Sequence, residues 1–175
     1  MENYGKIIAP GTIRFERLLP GPIERVWAYL TDSEKRGKWL ASGEMDLKVG
    51  GKVHLHFFHA DLSSHQETLP EKYKSYEHGS SFTGTVIRCT PPTLLTFTWG
   101  DGSEVTFELQ KQGEKVLLVL THRHLENIKA RIGVASGWHT HLGILVARLE
   151  GNEPEGFWSV HSQIEKEYTQ LLTEL

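Results

Sequence analysis

Apolar positions recur along this chain with two different periods. Ile23, Val26, Trp27 and Leu30 fall at i, i+3, i+4 and i+7, one stripe of a helix over Pro22–Asp32. Between Glu44 and His124 the period shortens to two and the chain reads as strand and turn. A helical stripe then returns with Trp138, Leu142, Leu145, Val146 and Leu149, from near Gly137-Trp138 to Glu150, and Gly151 sits where a helix stops. This order predicts an antiparallel sheet curled around the late helix.

The segments can be placed more closely. Residues 1–11 read as a loose N-terminal arm closed by Pro10-Gly11, leaving 12–175 as a single domain. Thr12–Leu19 alternates as a strand, with Ile13, Phe15 and Arg17 on one side. Pro20-Gly21-Pro22 breaks it, and a short second helix is expected over Glu34–Trp39. Glu44–Val49 and Lys52–Phe58 form an expected hairpin around Gly50-Gly51, with Val53, Leu55 and Phe57 on one face. His59–Gly79 is polar and reads as a long surface loop, a length that in a compact domain marks function or mobility. Four further strands follow: Ser80–Cys89, Leu94–Trp99, Ser103–Lys111 and Lys115–His124. Their inward sets include Leu95, Phe97 and Trp99, then Val105, Phe107 and Leu109, then Leu118, Leu120 and His122. Glu155–Leu172 is a second late helix with Phe157, His161, Ile164, Tyr168 and Leu171 on one face.

Composition narrows the class. The chain has 175 residues, 38% hydrophobic and 23% charged, which suits one packed domain. A net charge of −3 without a Lys/Arg run gives no basis for nucleic-acid binding. A single cysteine, Cys89, excludes an internal disulfide framework and fits a reducing, cytoplasmic setting. No signal-peptide pattern opens the sequence, and no apolar run reaches membrane-spanning length.

The histidines are the first candidates for chemistry. His54/His56 and His122/His124 sit two apart on strands, so each pair shares a face, an arrangement that metals can use. His139 and His141, two apart on a helix, diverge by about 200° around its axis. No third ligand at a fixed spacing joins any pair, so no metal site is assigned. No nucleophile pattern appears either; Gly-x-Ser-x-Gly is absent. Arg88, Glu104 and Arg123 are candidate polar groups for a cavity, although such strand positions more often belong to a solvated outer face.

A set of short pieces, in order, resembles a known family. These are Val26-Trp27 with Leu30-Thr31-Asp32, Lys38-Trp39-Leu40, Gly50-Gly51, Gly84-Thr85-Val86, Pro91-Pro92 with Leu95-Thr96-Phe97-Thr98-Trp99, Thr121-His122, and Gly137-Trp138 with Leu149-Glu150-Gly151. Over residues 12–151 they resemble the SRPBCC or START-like (Bet v 1-like) superfamily, in its branch similar to activators of heat-shock-protein ATPase. The resemblance implies an α+β helix-grip fold: a curved antiparallel sheet around a long C-terminal helix, two short helices closing one end, and an apolar cavity between sheet and helix. The long 59–79 segment and the helix after Gly151 depart from the family pattern.

The expected cavity wall is Leu55, Phe57, Phe97, Trp99, Leu118 and Leu120 from the sheet and Trp138 and Leu142 from the helix, with His122 as a polar anchor. The resemblance adds Trp39 near the mouth. The same residues would equally make a filled core, with His122 in a structural hydrogen bond. No cofactor is implied. The expected partner is a small apolar molecule of lipid, polyketide or aromatic type. Two alternatives stay open: a cyclase- or hydrolase-like enzyme on the same fold, and a module that acts on a chaperone ATPase.

Overall fold

The computed structural model describes residues 3–174. Seven strands form one curved antiparallel sheet: β1 (Lys6–Ala9), β2 (Thr12–Pro20), β3 (Lys52–Phe57), β4 (Ser80–Thr90), β5 (Leu94–Thr98), β6 (Glu104–Gln112) and β7 (Lys115–Arg123). Their spatial order is β1-β2-β7-β6-β5-β4-β3. The helices are α1 (Ile23–Thr31), α2 (Ser33–Arg36), α3 (Ile128–Glu150) and α4 (Phe157–Thr173). This is the α+β helix-grip architecture that the alternation pattern and the resemblance imply.

Period-two alternation sets the register. Phe15 of β2 and Phe107 of β6 both face Leu120 of β7, and Leu95 of β5 faces Phe107. That row of side chains lies on the concave face and is buried. Against it lie Trp138, Leu142 and Leu145 of α3, also buried. α3 is fixed at both ends: the Asn127 side chain accepts from the Ala130 amide at 2.8 Å, and Gly151 takes the left-handed conformation at φ 76°.

Arg36 organises the bend after α2. It is 1% exposed, and its Nε donates to the Ala41 carbonyl and Nη1 to the Thr31 carbonyl, each at 3.1 Å. Further donations go from Nη1 to Leu30 and from Nη2 to Gly43 carbonyls. A cage of backbone acceptors thus solvates this buried cation.

The structure departs from the sequence-based expectations in four places. Lys6–Ala9, within the expected arm, pairs with β2 as β1, while residues 1 and 2 lie outside the described residues. Glu44–Val49 is irregular rather than a strand: Met45 forms an isolated bridge to Val53, and Ser42, just before the segment, forms another to His56. The helix expected over Glu34–Trp39 is the shorter α2. α3 starts at Ile128 rather than near Gly137, because its first turns face a cleft and carry Gly133 rather than a continuous apolar stripe. The polar 59–79 segment contains two 3-10 turns, His59–Leu62 and Glu71–Tyr76. Among the described residues no helix is long and apolar enough to cross a membrane.

Candidate functional site

The 59–79 segment folds over the start of α4 and is tied there by polar contacts. The Glu67 carboxylate accepts from the Trp158 and Ser159 amides at 2.9 and 3.0 Å. These are donors that a helix start leaves free, and a negative charge suits that end of the helix dipole. A Cβ on Gly156 would overlap the Glu67 carboxylate, so glycine is what admits it. Further along, the Tyr73 hydroxyl donates to Glu165, and Lys72 pairs with the same carboxylate. The Leu62 carbonyl accepts from Arg148 Nη2 at 2.9 Å.

The folded-over segment, the β3–β4 end of the sheet, the first half of α3 and the start of α4 enclose a cleft of about 560 Å3. Its sheet wall is Phe57, Phe82 and Trp99; its α4 wall is Phe157, Trp158 and His161; its roof is His59, Tyr73 and Tyr76. Gly133, Gly137 and His141 form the α3 wall. A Cβ at Gly133 or Gly137 would meet nothing within 4 Å, so these two glycines leave the helix bare where it faces the cleft. A smaller inner chamber of about 140 Å3 shares Phe57, Trp99, Gly133, Gly137 and His141 with the cleft and is also bordered by Leu40, Val134 and Trp138.

The walls are aromatic to an unusual degree. The His59 ring lies 4.4 Å from Phe157 and 5.0 Å from Trp158. Tyr73 lies 5.0 Å from Trp158 and 5.2 Å from His161. Phe82 is 4.7 Å from Trp99, which is 5.1 Å from Trp138. These are the spacings of rings in direct contact, so the walls are packed aromatic surfaces against which a ligand ring can lie.

Three imidazoles face this space and stay neutral at ordinary pH. Burial lowers His59 to about 4, with the nearby His161 adding to the shift. Burial, then His59, lowers His141 to about 3, although its hydrogen bond to the Trp39 carbonyl opposes this. Burial also lowers His161, against the pull of Glu165. Nδ1 of His59 and Nδ1 of His161 are sealed from bulk water without a hydrogen-bond partner among the described residues. Among those residues no group of three His, Cys, Asp or Glu is arranged to hold a metal ion.

Of the residues expected to line the cavity, Phe57, Trp99 and Trp138 border the cleft or its inner chamber. Leu55, Phe97, Leu118, Leu120 and Leu142 are buried in the packed layer between sheet and α3. Trp39 is fully buried, donates Nε1–H to the Tyr29 carbonyl at 2.7 Å, and meets the cleft only through His141. His122 is fully buried and joins a chain of side chains. Trp138 Nε1–H donates to His122 Nδ1 at 2.9 Å, which leaves the ring proton on Nε2 facing Ser103 Oγ at 2.6 Å. Ser103 Oγ in turn donates to Asp101, which lies on the cleft wall. Burial lowers His122 to about 4, with Asp101 opposing.

His59, Tyr73, Tyr76, Phe82, Trp158 and His141 were not placed at the site by sequence reasoning. Only α4 gave a signal, since Phe157 and His161 share its apolar stripe. His54 and His56 lie on the outer face, bonded to Thr83 and Ser81.

The family model described as Activator of Hsp90 ATPase homolog 1-like protein matches residues 20–150. Among curated proteins, none matches the chain. The solution NMR structure of the protein encoded by BPP1335 of Bordetella parapertussis is 46% identical, with 96% of this chain and 90% of that chain covered and a TM-score of 0.82. CalU16 from Micromonospora echinospora shares the fold at 23% identity, TM-score 0.66, with 91% and 87% covered. A conserved protein of unknown function from Enterococcus faecalis does so at 24% identity, TM-score 0.70, with 95% and 88% covered. The family match spans most of the sheet and all of α3, the elements that carry the sequence resemblance, and the chain belongs to the Activator of Hsp90 ATPase homolog 1-like family.

Proposed function

We propose that the protein is a binder of a small hydrophobic molecule, held in the cleft between the sheet, α3 and α4, and that its preferred ligand is a planar aromatic compound bearing a hydroxyl. The observation that carries this reading is the open space left by Gly133 and Gly137 opposite a wall of Phe57, Trp99, Phe157 and Trp158. The volume falls within the range of about 300–1,000 Å3 usual for small-molecule sites. Each 40 Å2 or so of apolar ligand surface buried contributes about 1 kcal/mol before the entropy of association is subtracted. Stacking against the rings adds about 0.5–1.5 kcal/mol for each well-placed pair. The neutral imidazoles set the polarity. A ligand hydroxyl can pair with Nε2 of His59 or of His161, the ring nitrogens that are not sealed and have no hydrogen-bond partner among the described residues, whereas a cation gains no countercharge from these rings.

The experiment is a thermal-shift and tryptophan-fluorescence screen of the full chain with 1-naphthol, naphthalene, a saturated fatty alcohol and a naphthyl ammonium salt. 1-Naphthol is expected to raise the melting temperature most and to quench the tryptophans. No response to any of the four would remove the proposal.

A further inference from the structure

On the other side of α3 a second pocket, of about 370 Å3, lies between β2, α3 and α4. His139 faces it while His141 faces the cleft, as their divergence around the helix requires. The charge in this pocket is Arg17. Strand parity puts it on the inward face of β2 with Ile13, Phe15 and Leu19, and it is only 7% exposed. Its Nη1 donates to the Glu16 carbonyl at 2.7 Å, and its guanidinium carbon lies 5.8 Å from the Phe15 ring centre. Among the described residues no carboxylate pairs with it.

The contrast with Arg36 is informative. That buried guanidinium has four carbonyl acceptors, whereas Arg17 has one acceptor and an open cavity. A buried cation needs an anion or a full set of acceptors to offset its lost hydration. Burial lowers the Arg17 pKa, with Tyr168 opposing. Glu153 and Glu155 stand on the pocket wall, but the Glu153 carboxylate accepts from the Ser64 amide at 2.9 Å. The remaining wall is largely apolar, with Ile144, Ala147, Val160 and Ile164, and a Cβ at Gly143 would meet nothing within 4 Å.

We propose that this pocket is a second ligand site, separate from the cleft, and that it takes a small apolar monocarboxylate. The carboxylate pairs with the two-pronged Arg17 guanidinium, and the hydrocarbon body lies along Gly143, Ile144, Ala147 and Val160. Alkyl and aryl acids share this chemistry. The site stands whether or not the cleft binds a hydroxylated ring.

The test titrates the full chain with decanoate, 1-naphthoate and decan-1-ol, reading heat and the methyl signals of Ile144 and Val160. At least one carboxylate is expected to bind about tenfold or more tightly than decanol and to shift those methyls; which one does so tells an alkyl from an aryl body. Arg17→Met is expected to weaken that binding about tenfold or more, and Gly143→Leu to abolish it by filling the pocket, with 1-naphthol binding in the cleft unchanged in both. The proposal is overturned if neither carboxylate binds, if decanol binds as tightly, if Arg17→Met binds undiminished, or if the shifts gather on Trp99 and Trp158 instead. If Arg17→Met does not fold, Gly143→Leu decides by the same criterion.

Discussion

His122 shows how a single buried ring holds distant pieces together. Its two nitrogens join Trp138 on α3 to Ser103 at the start of β6, and through Ser103 to Asp101 at the cleft. Replacing the ring with His122→Phe nearly keeps the volume but leaves Trp138 Nε1–H without a partner, while the Ser103 hydroxyl keeps its bond to Asp101. An orphaned buried donor costs about 1–3 kcal/mol, so the variant is expected to lose about that much stability in urea titration. A loss below about 1 kcal/mol would show that the chain of side chains is dispensable. The inward direction of His122 was legible from its parity with Leu118 and Leu120. Its partners were not, because both are brought to it by tertiary structure. The same limit hid His59 and Tyr73, which reach the cleft only because Glu67 and Glu165 tie a polar loop to α4.

Among the elements, α3 carries the most consequence. Its second half has a regular apolar stripe and was legible in sequence; its first half was not. There Gly133 and Gly137 face empty space, so no buried stripe advertises the helix. A glycine within a helix costs about 1 kcal/mol relative to alanine. Gly137→Ala meets no neighbour and is expected to raise the melting temperature by about 2–4 °C for a chain of this size. A differential-scanning measurement that shows a loss instead would mean that the cleft wall at Gly137 is already closed. The sheet was more legible than the helices' ends. Alternation fixed which of its side chains turn inward, and its β5–β6 and β6–β7 hairpins turn at Asp101-Gly102 and Gly113. β1 gave no sequence signal because its edge position leaves a short strand with mostly exposed residues.

For the molecule as a whole, buried neutral histidines make stability depend on pH. His59, His122 and His139 are lowered to about 4 and His141 to about 3, in each case chiefly by burial. In the unfolded chain each titrates near 6.5, so above that pH neither state takes a proton and stability is at its plateau. As pH falls from about 6.5 toward 4, the unfolded state gains protons that the folded state refuses, and stability drops. His122 and His141 alone steepen the loss by up to about 1.4 kcal/mol per pH unit each. Urea midpoints are expected to fall steadily between pH 7 and pH 5, and a flat profile there would count against buried neutral rings. Removing His141 or His122 is expected to shallow that slope.

Two of these rings, His59 and His141, line the space between sheet, α3 and α4. The claim that this space is a ligand site is tested most directly by following the tryptophan indole N–H signals while 1-naphthol is titrated into the full chain. Trp158 and Trp99, on the cleft wall, are expected to shift in a saturable way, while Trp39, sealed in the core, stays still. Indole signals that do not move, or a Trp39 signal that moves as far as the other two, would contradict a ligand seated in this cleft.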